Sequence, residues 1–334
     1  MPLLPAWKEW PSGRANRSEL RRLYARGYQG AYHADAERDD LIERFKFPTF
    51  ADVSDEYDLW SFDGNAGELY LPYLSVLKFE PNAYEGAQET GDCVSWWAQR
   101  HADSVRANDI LSRGEPESWE AVGATEPIYG WRETRRQGMS CVRALDYLLT
   151  SGGVVLRAVY DDIDLSSYNP EVAIRWGRTR KGTPSGINQG AKEHQIKQAT
   201  VVEDLEQLRA AFRSGYSVGG CSGLGISSRR DERGLSEPSG SWAHAMWWGG
   251  YDERAQTVEH VGEPLVLIVN SWGRWNRGPR RIAGTAIDIP NGSCWVRESV
   301  IGRRCLDGGG CYTMSGADGW PPILLPDMGA TDEI

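Results

Sequence analysis

The order in which apolar patterns occur along the chain constrains its fold more than any other feature. Between about residues 78 and 305, apolar residues first recur at helical spacing and then form short continuous runs typical of strands. Helices followed by strands are typical of α+β proteins, in which a helical layer packs against an antiparallel sheet. We therefore expect an α+β fold with a helical lobe and a sheet lobe.

Boundary residues place individual helices and strands within this region. The first predicted helix begins at a cysteine after a Gly-Asp pair, and the second ends at paired glycines. The third begins with two acidic residues, which suit the positive end of a helix dipole. The predicted helices cover Cys93–Val105, Ser140–Thr150 and Val202–Arg213, and the predicted strands cover Ala243–Tyr251 and Leu265–Val269.

The composition changes on both sides of this region, which indicates three segments. Residues 1–77 are rich in Arg, Asp, Glu and Tyr, with helix-like stretches at Ser18–Arg26 and Ala34–Phe45, and form a predicted N-terminal extension. Residues 78–307 form the predicted main domain. Residues 308–334 are rich in Gly, Pro and acidic residues and are predicted to be an irregular tail.

Charge and hydropathy argue against two classes of partner. The formal net charge of −10 is opposite to the basic surface that a general nucleic-acid binder needs. The longest apolar run, Leu265–Val269, is far shorter than the ~20 residues of a membrane span, and the first ten residues carry no apolar signal core. We expect no nucleic-acid or membrane partner, and a cytoplasmic or virion-associated location.

The six cysteines are too widely spaced for a disulfide scaffold, and none forms the Cys-x-x-Cys pair that would suggest zinc. We expect free thiols in a reducing compartment, including Cys305 and Cys311, which would close a small loop if they were oxidised. No metal and no organic cofactor is expected. Metal-ligand spacing is also lacking at His33, His101, His194 and His260.

One cysteine, one histidine and one asparagine stand at the boundaries of predicted elements. Cys93 begins a helix, whose N-terminus can lower a thiol pKa from its usual value of about 8.5, as can a nearby imidazolium. His244 lies at the start of one strand, and Asn270 directly follows the next. Antiparallel pairing of these two strands would bring His244 and Asn270 together. We interpret Cys93 as a nucleophile, His244 as its base and acid, and Asn270 as the residue that orients the histidine.

These residues and their flanking segments resemble the papain-like cysteine peptidase family, specifically its compact bacterial and viral-type members. The resemblance covers about residues 88–300. It implies a two-lobe fold in which the nucleophile helix packs against an antiparallel sheet or barrel. It also implies hydrolysis of peptide or protein substrates, with Gln88 completing the oxyanion hole. The matching segments are Gln88-Glu-Thr-Gly-Asp-Cys93-Val-Ser, Gly138–Leu148, Asn270-Ser-Trp-Gly and Asn291–Val296.

Some residues depart from the family's pattern. The spacing from Gln88 to Cys93 is one residue shorter than usual, and Val94 stands where a tryptophan often follows the nucleophile. Asp92 adds a negative charge beside the proposed thiolate unless it caps the helix. The paired glycines that hold the substrate backbone are reduced to a single one, Gly138.

A function of a different class fits the same residues. A structural component of a phage particle or another assembly keeps such a fold without using the triad, and its partners would be other subunits. Acyl transfer and deamidation use the same triad and are not separated from hydrolysis by the sequence. The extension has two interpretations as well. Its segment Phe50–Tyr57 resembles part of an inhibitory pro-segment, and a packing or assembly role is the alternative.

Overall fold

The structure, a computed structural model, describes residues 43–65, 68–114, 118–132, 137–178, 182–256, 261–306 and 310–325. The predicted helical stretch Ser18–Arg26 and most of Ala34–Phe45 lie outside these ranges. Within the described ranges, no helix is both long enough and apolar enough to cross a membrane.

Most helices precede the large sheet in the chain, as the apolar patterns predict. The three predicted helices correspond to α3, α5 and α8, and α3 extends well beyond its predicted end. It ends where Gly114 adopts a φ of +66° and donates its N–H to the carbonyl of Ile110. The helices are α1 (Phe50–Tyr57), α2 (Pro72–Leu77), α3 (Cys93–Arg113), α4 (Thr125–Gly130), α5 (Cys141–Ser151), α6 (Pro170–Gly177), α7 (Ser185–Gly190), α8 (Leu205–Arg213) and α9 (Glu298–Cys305).

Seven strands form one antiparallel sheet, and two short strands form a separate hairpin within the helical lobe. The sheet order is β4-β9-β5-β6-β7-β8, with β1 paired to the end of β6. The strands are β1 (Leu69–Tyr70), β2 (Val159–Tyr160), β3 (Ile163–Asp164), β4 (Gln198–Val201), β5 (Val218–Ile226), β6 (Pro238–Asp252), β7 (Leu265–Val269), β8 (Ser293–Arg297) and β9 (Cys311–Ser315).

Both faces of the sheet are buried, and the alternating side chains of β6 enter a different core on each face. Trp247 points into a core shared with α3 and α5, whereas Met246 and Trp248 point into a second core shared with α8 and α9. The long β6 is fully buried from Met246 to Asp252, which explains why its pattern is a continuous apolar run. The α+β prediction, with the Cys93 helix packed against an antiparallel sheet, is confirmed.

The described part of the extension contributes to these same cores. Phe50 of α1 packs edge-on against Tyr216 and Trp320, with ring centroids 6.3 and 5.9 Å apart. Tyr73 of α2 lies in the core that contains α3, and Leu69 of β1 pairs with the end of β6. The domain boundary at residue 77 stays a prediction.

Part of the C-terminal segment is regular, contrary to the expected irregular tail. Residues Cys311–Ser315 form β9, which inserts between β4 and β5. This strand is completely buried. Its five residues are flanked by glycine-rich sequence, and so short a segment has too little periodicity to be recognised.

A disulfide joins Cys141 at the start of α5 to Cys221 in β5, with Cα atoms 5.8 Å apart. The expectation of free thiols is therefore wrong for these two cysteines. They are 80 residues apart, and their proximity comes from the packing of the helical lobe on the sheet. Cys93, Cys294, Cys305 and Cys311 are free and buried, as expected for Cys305 and Cys311.

We expect reduction of the disulfide to lower the free energy of unfolding by about 4 kcal/mol, because it closes a long loop in the unfolded chain. Dithiothreitol should lower the melting temperature of the wild type, followed by circular dichroism. The Cys141→Ala/Cys221→Ala double variant should melt lower from the start and show no further change with dithiothreitol. Equal sensitivity of both proteins to the reductant would contradict a bond between these cysteines.

Candidate active site

His244 and Asn270 are in direct contact at the edge between β6 and β7. Antiparallel pairing sets Trp247 opposite Val269, so the residue that follows β7 lies beside the start of the buried part of β6. His244 Nε2 and Asn270 Oδ1 are 2.8 Å apart, and each residue is 1% exposed. An amide oxygen only accepts hydrogen bonds, so Nε2 carries the proton and Nδ1 is left to accept one.

Aromatic rings enclose this pair. The ring of Trp272 lies 4.5 Å from that of His244, centroid to centroid, and the ring of Trp242 lies 6.2 Å away. Trp272 belongs to the segment Asn270-Ser-Trp-Gly noted in the sequence, whereas Trp242 was not singled out there. Their packing excludes water from the hydrogen bond, which strengthens it.

Cys93 is the first residue of α3 and is 0% exposed. Burial raises the pKa of its thiol to about 12, and hydrogen bonding by the backbone N–H of Ala245 acts in the opposite direction. Ala245 is the residue after His244, so this contact sets the sulfur beside the histidine's own strand. The backbone N–H groups at the start of α3 also lower the pKa of the Cys93 thiol.

Burial affects the histidine in the corresponding way. It lowers the pKa of His244 to about 4, although the hydrogen bond to Asn270 favours the charged ring. Both pKa shifts disfavour the charged form of the group concerned, so Cys93 is a neutral thiol and His244 a neutral imidazole while both are buried. We call this buried state the closed arrangement. Transfer of the proton from Cys93 to His244 creates two opposite charges that stabilise each other, unlike the charging of either group alone.

Gln88 is attached to the segment that follows Asn270. Its Oε1 accepts from the hydroxyl of Ser271 at 2.5 Å, and its backbone N–H donates to the carbonyl of Ser271 at 2.8 Å. Its Nε2 donates to the carbonyl of Thr90 at 2.8 Å. An amide nitrogen has two protons, so one remains after this bond. Gln88 is therefore held beside Ser271, the residue that follows Asn270.

Gln137 holds the turn that precedes the nucleophile, and nothing in the sequence had indicated it. Its Oε1 accepts from Thr90 Oγ1 at 2.6 Å, from the N–H of Gly91 at 3.0 Å and from the hydroxyl of Tyr129 at 3.1 Å. Gly138 follows with a φ of +89°, a conformation that favours glycine. These bonds fix the backbone between Gln88 and Cys93.

Asp92 does not cap α3, since its side chain makes no capping hydrogen bond there. Its Oδ2 accepts instead from the hydroxyl of Tyr168 at 2.8 Å, and that hydroxyl accepts from the N–H of Glu89 at 3.1 Å. Burial raises the pKa of Asp92 to about 8. The negative charge expected beside the thiol is therefore largely absent at neutral pH, because the carboxyl is protonated.

No group of three or more His, Cys, Asp or Glu residues in the described ranges could hold a metal ion. A cavity of about 150 Å³ in the helical lobe is lined by residues that do not belong to the triad. Its lining residues are Trp131, Thr150, Ser151, Asn188, Gln189 and Lys192. The structure brings His244, Asn270 and Gln88 together, and it buries Cys93 rather than exposing it to an extended peptide.

Comparisons with known proteins give structural similarity alone. No family model matches the chain, and no curated protein matches it. Xylellain, a cysteine protease from Xylella fastidiosa, has 15% identity and a TM-score of 0.47, with 75% of this chain and 87% of xylellain covered. Trypanosoma congolense procathepsin B has 10% identity and a TM-score of 0.48, with 93% and 92% covered. Bromelain from Ananas comosus has 13% identity and a TM-score of 0.41, with 75% and 100% covered. These identities and TM-scores are too low to assign a role to any residue.

Replacing Asp92 by Asn should change how stability depends on pH. The ordinary pKa of 3.8 applies in the unfolded chain and about 8 in the folded chain. The contribution of the protonated carboxyl to the free energy of unfolding is therefore fully present below about pH 4 and is lost as pH rises to about 8. The amide of the variant does not titrate and still accepts from Tyr168. We expect the melting temperature of Asp92→Asn to exceed that of the wild type increasingly across this window.

Circular dichroism melts at several pH values measure this difference. Asp318→Asn, at a carboxyl whose side chain is 91% exposed, is the matched control and should follow the wild type throughout. A difference between Asp92→Asn and the wild type that stays constant with pH would show that Asp92 is not protonated in the folded protein.

Proposed function

We propose that this chain is a cysteine-type peptidase that hydrolyses peptide bonds, with Cys93 as nucleophile, His244 as base and acid, and Asn270 as the orienting residue. The observation that supports this most is the 2.8 Å hydrogen bond between His244 Nε2 and Asn270 Oδ1. It leaves Nδ1 of the imidazole as the proton acceptor. The contact of the Cys93 sulfur with the N–H of Ala245 brings the thiol to the same strand.

The proposed reaction has two steps. The proton of the Cys93 thiol moves to His244 Nδ1, and the sulfur forms a bond to the carbonyl carbon of the substrate. The resulting oxyanion accepts from the backbone N–H of Cys93 and from the remaining N–H of Gln88 Nε2. The C–N bond breaks as His244 protonates the leaving amine. Water then gives a proton to His244, attacks the acyl carbon and releases the thiol.

Access to the nucleophile requires a change from the closed arrangement. Attack needs the sulfur within about 3–3.5 Å of a carbonyl carbon, and Cys93 is 0% exposed. Peptidase activity therefore depends on movement of the residues that cover the sulfur. Trp96, on the first turn of α3, packs edge-on against Tyr168 with ring centroids 5.1 Å apart. Tyr168 also binds Asp92, the residue directly before Cys93.

The same burial supports a second candidate, a component of a phage particle or another assembly in which the triad is not used. Such a component has no need to open, and its buried Cys93 would serve packing. Acyl transfer and deamidation would need the same opening as hydrolysis. Measurements of thiol reactivity and of cleavage separate the first two candidates.

Selective alkylation is the first test. Burial raises the pKa of the Cys93, Cys294 and Cys305 thiols alike to about 12. We expect a peptide-like electrophile to label Cys93 first, because of the three it alone has a proposed imidazole partner, His244. His244→Ala should reduce Cys93 labelling near neutral pH by about 100-fold or more, and Asn270→Ala by about 10-fold. Peptide mapping by mass spectrometry gives the rates. His194→Ala, outside the site, is the control and should label like the wild type.

Cleavage of a denatured protein is the second test. The wild type should cleave it, Cys93→Ala should not, and Gln88→Ala should have a kcat lowered by about 10- to 1000-fold through loss of an oxyanion donor. Fragments are followed by gel electrophoresis and mass spectrometry. Selective labelling without any cleavage would favour the assembly role, and cleavage by Cys93→Ala would remove Cys93 as nucleophile.

A further inference from the structure

A buried arginine lies on the helix that begins at Cys93. Arg100 stands seven residues after Cys93 in α3, two helical turns along the same face, and is 1% exposed. Its guanidinium carbon lies 5.3 Å from the ring centroid of Trp96 and 5.6 Å from that of Tyr84. Two aromatic rings thus help to hold the position of this cation.

Arg100 also contacts the strand that leads to Asn270. Its Nη1 donates to the carbonyl of Val269 at 3.2 Å, and Val269 is the last residue of β7. The next residue is Asn270, whose side chain holds His244. One guanidinium therefore links the helix that carries the nucleophile to the backbone that carries the orienting residue.

The charge of Arg100 has no anionic partner among the described residues. Its Nε and Nη2 make no hydrogen bond there. The carboxylate of Asp103 on the same helix pairs with Arg106 at 2.9 Å, and burial keeps the Tyr84 phenol neutral by raising its pKa. The pKa of Arg100 is lowered by burial to about 10, so the side chain remains charged at neutral pH. An unpaired buried charge is unfavourable for folding, and a methionine would pack without that penalty.

The charge acts on the imidazole. Groups that surround His244 come from three other elements, namely Arg100 from α3, Asn270 and Trp272 from the segment after β7, and Ser222 opposite it on β5. Of these four, Arg100 alone carries a charge. The guanidinium lowers the pKa of His244, in addition to the effect of burial.

We propose that Arg100 is a positioning residue that acts through Asn270 and His244. It fixes the backbone on which Asn270 is mounted, and its positive charge shifts the pH range in which the thiolate and the imidazolium coexist toward lower pH. The inference rests on the proposed function, since it assigns a role within the same triad. A purely structural arginine would affect folding without moving that pH range.

The test compares Arg100→Met, which keeps length without charge, with Arg100→Lys, which keeps charge without the planar donor group. Alkylation of Cys93 by iodoacetamide is measured against pH in the full chain, with quantification by mass spectrometry. Without the cation, the thiolate and the neutral imidazole are both less favourable, so the pKa values of Cys93 and His244 both rise. The rising limb and the falling limb of the plot of alkylation rate against pH should therefore both move to higher pH, by about one unit, in Arg100→Met. Arg100→Lys should keep the wild-type limbs and react more slowly.

Arg106→Met is the matched control on the same helix, and it should lower the melting temperature and leave the limbs unchanged. If Arg100→Met fails to fold by circular dichroism, Arg100→Gln replaces it with the same expected shift. Unmoved limbs in a folded neutral variant of Arg100 overturn the inference. A wild type in which Cys93 is not selectively alkylated overturns the proposed function instead, so the two failures are distinguishable.

Discussion

The antiparallel pairing of β6 with β7 is the interaction on which the rest of the site depends. It sets Trp247 opposite Val269 and so brings Asn270 to His244 without any specialised loop. The pairing is held from both sides, since β6 is packed between two cores and its far end pairs with β1. A shift of one residue would turn every side chain of β6 to the opposite face, and the large tryptophans in both cores make that shift unfavourable.

The sequence allowed the elements with strong local patterns to be predicted, and it failed where contact depends on packing. The helix at Cys93 and the strands around His244 and before Asn270 follow from cap residues and apolar runs, and the structure has them. The disulfide was missed because its cysteines meet only after the two lobes pack. Arg100 was missed because a helical arginine is usually on the surface, and its burial is set by distant rings.

Exclusion of water explains the unusual protonation of the site. Burial raises the pKa of Cys93 and Asp92 and lowers that of His244, so each group is neutral at pH 7 in the closed arrangement. Arg100 is the exception, because a guanidinium keeps its proton even when it is desolvated. A buried fixed cation near groups that have lost their charge has a larger effect on their proton transfers than it would have in water.

The disulfide between α5 and β5 also limits how the molecule can move. A single covalent link between two rigid bodies prevents them from separating at that point, while rotation about it remains free. Cys221 lies opposite Ala245 in the sheet, so the axis of any such rotation passes close to the residue beside His244. Points near an axis move least. Relative motion of the lobes would therefore displace the distant rim of the interface while leaving the distance between the thiol and the imidazole almost unchanged.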